Sequence, residues 1–282
     1  MRSFQMKKGE WKFYIYLIPT AIIMGIPIVY IFCHAFKPMD ELFAYPPRFF
    51  VKNPTLNNFR NLLQMSSGSA IPWTRYLFNS ILVTTGVVFC SVIFSTAAGF
   101  ALAKLKFKGK KMFMNINTAA LMFVSGAVAI PSFLIINELH ILNTYWAHIL
   151  PIIAMPVGLF LVTQFIGQVP DELIEAGVVD GASHFRIYHK IILPMIKPAI
   201  VTVIILSFQS VWNNMATSTL YVDDESLRTF GFYMGTLSSN ANAVAGQGMA
   251  AASALIMFIP NLVIFILMQS NVMNTMAHSG LK

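Results

Sequence analysis

The most regular feature of the sequence is a series of long uncharged apolar stretches separated by shorter polar segments. Six of them are long enough to cross about 30 Å of hydrocarbon at a rise of about 1.5 Å per residue. They cover residues 13–33, 76–103, 112–136, 147–166, 198–219 and 248–272. Backbone groups in lipid must be hydrogen-bonded within the protein, and none of the six alternates like an outer-membrane strand. The pattern therefore predicts an all-α membrane protein with six transmembrane helices.

Two further patterns bear on how these helices pack. Prolines interrupt several of the stretches and favour kinked or broken helices around a cavity. They are Pro19, Pro27, Pro131, Pro151, Pro156 and Pro260. Small residues recur every four positions in the second stretch, at Ser91, Ser95, Gly99 and Ala103. This face is predicted to approach another helix closely, either within the chain or in a second subunit.

Composition excludes a water-soluble enzyme. Of 282 residues, 56 % are hydrophobic and only 11 % are charged, whereas soluble domains carry about 25 % charged residues. Cys33 and Cys90 fall in or beside apolar stretches and form no disulfide framework. His184 and His189 are five residues apart and do not share a helical face, so no metal site is predicted.

The distribution of cations predicts the orientation. With the N terminus inside, the cytoplasmic segments hold 13 of the 19 Lys and Arg residues and the outer loops hold six. Those cytoplasmic segments are 1–12, 104–111, 167–197 and 273–282. Both termini are thus predicted in the cytoplasm, with residues 13–272 forming the membrane domain. The net charge of +8 needs no nucleic-acid partner, and the lysines of 104–111 are expected to touch anionic membrane lipid.

Residues 167–197, which we call the elbow, concentrate charged side chains between two apolar stretches. Pro170 can open a short helix and Gly181 can close it in a left-handed conformation. Ser183 is a suitable N-cap for a second short helix, predicted to end at Pro194. On that helix Phe185, Tyr188 and Ile192 are three and four residues apart and are predicted to share one side. The elbow is predicted to dock on a soluble partner; a pair of interfacial amphipathic helices is the alternative.

The elbow sequence EAGVVDGASHFRIYHKIILP resembles the EAA signature of ATP-binding-cassette importer permeases. The residues at the signature positions are Glu175, Ala176, Gly181, Ile191, Leu193 and Pro194. Gly177 stands where that signature usually has alanine. A helical glycine costs about 0.5 to 1 kcal/mol relative to alanine, so this departure is predicted to weaken the first elbow helix.

The resemblance extends over nearly the whole chain, to the smaller permease of maltose-type sugar importers. The segments that carry it include NSILVTTG, AGFALAKLKFKGKK, LNTYWAHILP and MAAASALIMFIPNLVIFILMQ. It implies a type I importer permease fold of six helices with a cytoplasmic coupling helix, in a bacterial or archaeal cytoplasmic membrane. The implied partners are a second, larger permease, a cytoplasmic ATPase dimer and an extracytoplasmic binding protein that delivers a carbohydrate, expected to be an oligosaccharide. ATP and Mg belong to the ATPase, because this chain has no GxxxxGK[ST] phosphate loop; no catalytic residue or cofactor is expected in it.

The resemblance also implies roles for individual residues. Glu175 is expected to pair with a basic residue of the ATPase, and Asp180 to cap or brace the bend that Gly181 permits. Phe185 and Tyr188 are expected to supply apolar burial in the ATPase groove. In the C-terminal tail, Gly280 and Lys282 are expected to contact the ATPase; a frayed terminus is the alternative.

Polar residues near the end of the fifth stretch are candidates for a substrate path. They are Gln209, Trp212, Asn213 and Asn214. Amides beside an aromatic ring suit sugar hydroxyls and C–H faces, but hydrogen bonding between helices explains the same residues. Residues 220–247 resemble an outer loop that meets a binding protein, with a flexible connector as the alternative.

Other function classes fit the sequence less well. An importer permease for a glycerophosphodiester, a polyol or an amino acid remains the nearest alternative. An intramembrane serine protease is disfavoured because the GxSG signature is missing. A secondary transporter acting alone is disfavoured because His148 is the only ionisable His, Asp, Glu, Lys or Arg residue in the six stretches.

Overall fold

The computed structural model describes residues 11–67, 71–124, 126–240 and 245–279, and these residues form helices and no strand. In chain order the helices are α1 (Trp11–Phe36), α2 (Met39–Leu42), α3 (Asn57–Ser67), α4 (Trp73–Lys104), α5 (Lys110–Ala120), α6 (Ala129–Glu138), α7 (Tyr145–Ile153), α8 (Pro156–Gly167), α9 (Asp171–Val179), α10 (His184–Ile187), α11 (Leu193–Met195), α12 (Lys197–Trp212), α13 (Ala216–Tyr221), α14 (Phe230–Asn240) and α15 (Ala245–Ser279). A π-helical turn (Tyr188–Ile192) joins α10 to α11, and a 3-10 turn (Glu225–Leu227) precedes α14. The all-helical prediction is confirmed for this part of the chain.

The helices reproduce the six predicted stretches only in part. Among the described residues, three helical segments are long and apolar enough to span a membrane: Phe13–Phe36, Trp73–Lys104 and Gly246–Gln269. Two bent pairs raise that number to five, α7 with α8 at 44° and the His184–Met195 segment with α12 at 79°. The predicted single helix over 112–136 is wrong, because α5 ends at Ala120 and α6 begins at Ala129. The sixth span therefore stays a prediction.

A proline accounts for the break between α7 and α8. Pro156 is the first residue of α8, and Met155 before it is extended with φ −105° and ψ 93°. The helical region is disfavoured for a residue that precedes proline, and Met155 leaves it, so α7 and α8 do not form one straight helix. Pro131 lies in the first turn of α6, where its missing N–H costs no helical hydrogen bond.

One compact unit combines residues 11–67 with 234–240 and 245–258. Its apolar core contains Ala35, Ala252 and Leu255. The Asn58 amide donates hydrogen bonds to the carbonyl oxygens of Ala35 at 3.0 Å and Lys37 at 2.8 Å. Asn58 thereby ties α3 to the end of α1.

The other compact unit contains residues 71–124, 126–233 and 259–279 and is built around α4. α4 packs against α7, α8 and α12. Of the small residues on its predicted face, Ser91, Ser95 and Gly99 are buried. The Ser91 hydroxyl donates to the carbonyl oxygen of Ile153 at 3.3 Å. This small-residue face is therefore used for packing within the chain.

Candidate functional site

The first half of the elbow is α9, fixed at its start by an ion pair. α9 begins after Pro170, and its first turn contains Asp171 and Glu172, where the helix dipole favours carboxylates. Lys104 Nζ lies 2.6 Å from Asp171 Oδ1 and also donates to the carbonyl oxygen of Val169. Hydrogen bonding and charge from Lys104 hold the pKa of the Asp171 carboxyl below its usual value. The end of α4 is thus linked to the start of the elbow.

A left-handed glycine closes α9, as the sequence predicts. Gly181 has φ +74°, a region that costs other residues about 1–2 kcal/mol. Its N–H donates to the carbonyl oxygen of Val178 at 3.0 Å, and the Ala182 N–H donates to that of Gly177 at 2.9 Å. Asp180 closes the helix through its backbone, whose N–H donates to the Ala176 carbonyl at 3.0 Å. The chain then turns sharply into the second half of the elbow.

The second half is longer than predicted. Ser183 caps α10, its hydroxyl oxygen accepting the N–H of Arg186 at 3.3 Å. The chain then passes through the π-helical turn into α11, so the helical path runs through Pro194 to Met195. The prediction that Pro194 ends the helix is therefore wrong. Pro194 lies in the first turn of α11, where the missing N–H is tolerated, and the bend falls at Ile196.

The inner face of the elbow belongs to the main apolar core. Ile187 and Ile192 are fully buried in a cluster with Phe100 and Val162. Gly177 faces this helix: a Cβ at that position would lie 3.2 Å from Ile191 Cδ1 and 3.3 Å from Ile187 Cγ1. Such distances are tighter than ordinary carbon–carbon contacts. The departure from the alanine of the signature therefore has a packing reason, because glycine lets the two elbow helices approach closely.

The structure separates the two aromatic residues that were expected to dock together. The Tyr188 hydroxyl lies 2.7 Å from Thr96 Oγ1, and its ring centroid lies 5.7 Å from that of Phe100 on α4. Phe185 is 71 % exposed. Tyr188 is half-buried and makes this contact within the chain, and its docking beside Phe185 in a partner's groove stays a prediction. Tyr188 and Ile192 both pack on the core side of the elbow, and Phe185, in the first turn of α10, does not share that side.

The elbow exposes four apolar side chains in a segment rich in charge. They are Leu173, Val178, Val179 and Phe185, which we call the apolar patch, and Val179 is 87 % exposed. Glu175 and Asp180 of the same segment are also exposed. The Glu175 side chain makes no hydrogen bond or ion pair with the residues that the structure describes. Of the patch, sequence reasoning found only Phe185; the signal it missed was the presence of apolar residues in a segment rich in charge. Exposed apolar surface of this kind marks an interaction site.

The candidate substrate residues do not form one site. Trp212 is 6 % exposed and stacks on Phe208 with ring centroids 5.6 Å apart, so its ring is part of the core. Gln209 and Asn213 lie outside that core, and Asn213 Oδ1 accepts a hydrogen bond from Asn261 at 3.3 Å. Asn214 alone lines a cavity of about 550 Å³ between α6, α7, α8, α12 and α13.

That cavity has polar groups that sequence reasoning did not select. Its polar lining includes Ser132, Ser210, Thr217 and Tyr221. The Asn214 carboxamide oxygen accepts hydrogen bonds from the Thr217 N–H at 3.0 Å and the Thr217 hydroxyl at 3.1 Å. Thr217 Oγ1 also lies 2.9 Å from Nδ1 of the fully buried His148. Asn214 is thus held in place by its own hydrogen bonds at the wall of the cavity.

The segment 222–229, which we call the 222–229 turn, is tightly anchored. The Asn79 amide donates to the carbonyl oxygens of Ser226 at 2.8 Å and Arg228 at 2.9 Å. The Tyr76 hydroxyl donates to Glu225 Oε1 at 2.8 Å. Hydrogen bonds from Ser226 lower the pKa of Asp224. This part of the 220–247 loop is therefore an anchored turn and not a flexible connector. Residues 241–244 of the same loop lie outside the described residues. Gly280 and Lys282 of the C-terminal tail also lie outside them.

Comparison with known families decides the class of this protein. The family model of binding-protein-dependent transport system inner membrane components matches residues 95–272. The chain belongs to this family. The matched region includes the whole elbow, the cavity beside Asn214 and most of α15.

Relatives of the permease agree with this assignment over its full length. The probable ABC transporter permease protein YurM of Bacillus subtilis is 29 % identical, over 97 % of this chain and 89 % of YurM. The trehalose/maltose transport system permease protein MalG of Thermococcus litoralis is 28 % identical, over 95 % of this chain and 96 % of MalG. The resemblance to maltose-type permeases is confirmed.

A solved structure confirms the fold. A chain from the crystal structure of a bacterial ABC transporter involved in the import of alginate superposes with a TM-score of 0.79. The two chains are 20 % identical, and the match covers 94 % of this chain and 98 % of that chain. The permease therefore has an ABC importer fold and is a membrane-embedded transport subunit.

Proposed function

We propose that this permease is one of two in an ATP-driven importer that takes up a carbohydrate from an extracytoplasmic binding protein. The exposed apolar patch on the elbow carries this proposal. It lies outside the apolar stretches, in a segment rich in charge, which favours cover by a protein surface over cover by lipid. A separate ATPase is the partner that supplies energy, with ATP and Mg bound there.

The elbow is built to transmit force from such a partner. Its outer face presents Phe185 and Val179 to the ATPase, with Glu175 free to pair with a basic residue. Its inner face is fixed to α4 through the Thr96–Tyr188 contact and the Lys104–Asp171 ion pair. A displacement of the patch therefore moves the membrane helices, which is what coupling between two sites requires.

The proposed ATPase partner also sets the orientation of this chain in the membrane. An ATPase acts in the cytoplasm, so the elbow and both termini lie there, and the 222–229 turn faces outside. The excess of Lys and Arg in the segments on the elbow's side supports this arrangement. In the proposed complex the C-terminal tail with Gly280 and Lys282 reaches the ATPase.

The substrate class rests on the relatives and on the cavity. MalG of T. litoralis belongs to a trehalose/maltose system, and the cavity of this chain combines hydroxyl and amide groups with the ring of Tyr221. Hydroxyls and amides bind sugar hydroxyls, while an aromatic ring suits the apolar faces of a sugar. Ser210 and Asn214 are the residues of the cavity that we assign to the sugar path.

The test is to purify the assembled complex with its native binding protein and identify the bound solute by mass spectrometry. A carbohydrate is expected, and it should stimulate ATP hydrolysis by the reconstituted complex. Ser210→Ala should raise the sugar concentration needed for half-maximal uptake, whereas Ser239→Ala, at an exposed position of α14, should not. A bound amino acid or glycerophosphodiester would contradict the substrate class, and a complex without an ATPase would contradict the whole proposal.

A further inference from the structure

An apolar groove lies between α4, α5 and α8, separate from the cavity beside Asn214. Its volume is about 490 Å³, and its lining is almost entirely apolar. Its wall includes Phe94, Ala98, Leu102, Phe107, Phe113 and Leu159. The polar group of Asn117 in the wall is already used, since its amide donates to the Pro156 carbonyl at 3.2 Å. The groove therefore suits a hydrocarbon chain and offers nothing to a sugar.

One end of this groove is strongly cationic. Residues 104–111 contain five lysines, and the sequence has no Asp or Glu between Glu41 and Glu138. Lys104 is neutralised by Asp171, and Lys110 Nζ donates to the Ala103 carbonyl at 3.1 Å. The remaining three, Lys106, Lys108 and Lys111, are exposed, and their ammonium groups make no hydrogen bond or ion pair within the described residues, although the charge of Lys106 helps to lower the pKa of Asp171.

The cations and the groove share one short segment of chain. Phe107, which lines the groove, stands between Lys106 and Lys108. Phe113 follows Lys111 by two residues, and the two phenylalanine ring centroids are 6.4 Å apart. An occupant that fills the groove thus reaches the segment of chain that carries these three lysines. That combination selects an amphiphile with a hydrocarbon tail and an anionic head.

We propose that this groove binds one acyl chain of an anionic phospholipid, whose phosphate is held by Lys106, Lys108 and Lys111. Position favours lipid over a soluble amphiphile, because α4, α5 and α8 lie in or border the membrane-embedded part of the chain. The inference rests on the proposed function only for the assignment of this end to the cytoplasmic leaflet. The bound lipid would fill the space between α5 and α8 and stabilise their packing.

The test uses the assembled, delipidated complex incubated with phosphatidylglycerol or phosphatidylcholine of identical acyl chains. Native mass spectrometry counts the lipid that each preparation retains. We expect selective retention of phosphatidylglycerol, weakened on the order of a hundredfold when Lys106, Lys108 and Lys111 are all changed to Gln. The matched control removes three exposed cations elsewhere, as Arg48→Gln, Lys52→Gln and Arg60→Gln, and should retain the lipid fully.

Two groove variants test binding of the acyl chain of the lipid separately from binding of its headgroup. Ala98→Trp and Ala101→Phe fill the groove while keeping every lysine, and each should abolish retention. Dihexanoyl phosphatidylglycerol and inorganic phosphate, which lack a long chain, should fail to displace the bound lipid. Equal retention of the two headgroups, or retention by the triple lysine variant, would overturn the proposal. The same spectra report whether the ATPase is bound, so failure of the lipid site is distinguishable from failure of the proposed function.

Discussion

The elbow and the 222–229 turn are both short segments between apolar helices, but they are held in opposite ways. The turn is held by polar groups, above all by the buried Asn79, whose amide serves two of its carbonyl oxygens. The elbow is held by apolar burial of Ile187 and Ile192, with only a few polar contacts to α4. Its outer face is left exposed, whereas Asn79 and Tyr76 beneath the turn are buried.

The difference shows how one chain provides both a segment closed by its own contacts and a segment with one face open to a partner. Hydrogen bonds are directional and hold the 222–229 turn in a single position relative to α4. Apolar packing on one face fixes the elbow to the membrane helices while the other face stays open for a partner. Variants of the bend and of the exposed face of the elbow should therefore change coupling, whereas variants of its contacts with α4, like variants beneath the turn, should change stability.

The largest effect is expected at Gly181. Gly181→Val places a branched side chain at φ +74°, which should distort the bend and reduce uptake to background, at a cost above about 1–2 kcal/mol. Gly167→Ala is the matched control, because a Cβ there also meets no atom within 4 Å and its φ is not positive. Transport assays in vesicles compare uptake by the two variants with that of the parent. Normal uptake by Gly181→Val would contradict the proposed role of the bend.

The next effect is expected at Asn79 and should appear in stability alone. Asn79→Ala removes the donor to the Arg228 carbonyl oxygen and one of the two donors to the Ser226 carbonyl oxygen, which should cost about 1–3 kcal/mol. Thermal unfolding in detergent measures the loss, and Asn115→Ala, on the exposed side of α5, should lie within about 0.5 kcal/mol of the parent. A selective loss of ATPase binding by Asn79→Ala would show that the turn also takes part in coupling.

The two aromatic residues of the elbow give a paired prediction. Phe185→Ser should weaken ATPase binding about tenfold or more, with little change in unfolding, because its ring is exposed. Tyr188→Phe removes the contact with Thr96 and should instead cost about 0.5–1.5 kcal/mol of stability while ATPase binding is kept. Titration of each variant with the purified ATPase measures binding, and thermal unfolding measures stability. Normal ATPase binding by Phe185→Ser together with weakened binding by Tyr188→Phe would mean that the inner and outer faces of the elbow are assigned wrongly.

The smallest effect is expected from the Lys104–Asp171 pair, since Asp171 is exposed. The ion pair lowers the pKa of Asp171 in the folded chain, so its contribution to stability is present above the ordinary carboxyl pKa of about 3.9. It is lost as the pH falls through the lowered pKa. The stability difference between the parent and Asp171→Asn should therefore be constant near neutral pH and vanish in acid. A difference that grows on acidification would have the wrong sign.

Local sequence signals predicted the local structure well. Hydropathy located α1 and α4 to within a few residues, and Gly181 and Ser183 have the conformation and capping role that their residue types indicate. Such features depend on a few neighbouring residues.

Features that depend on distant contacts were not predictable in the same way. Tyr188 contacts Thr96, 92 positions earlier in the chain, and no local spacing predicts that contact. Trp212 is buried by Phe208 and Phe230, and no spacing in the sequence shows that its ring is unavailable to a sugar. The break between α5 and α6 is likewise hidden in a continuous apolar run.

The central claim, that the exposed face of the elbow binds an ATPase, is tested most directly by cross-linking. A Glu175→Cys variant in a background without Cys33 and Cys90 would be expressed with the complete transporter and treated with a short bifunctional thiol reagent. We predict a cross-link to the ATPase, together with protection of the introduced thiol from a membrane-impermeant thiol reagent added outside intact cells. Labelling of that thiol from outside, or a cross-link only to the binding protein, would contradict the claim.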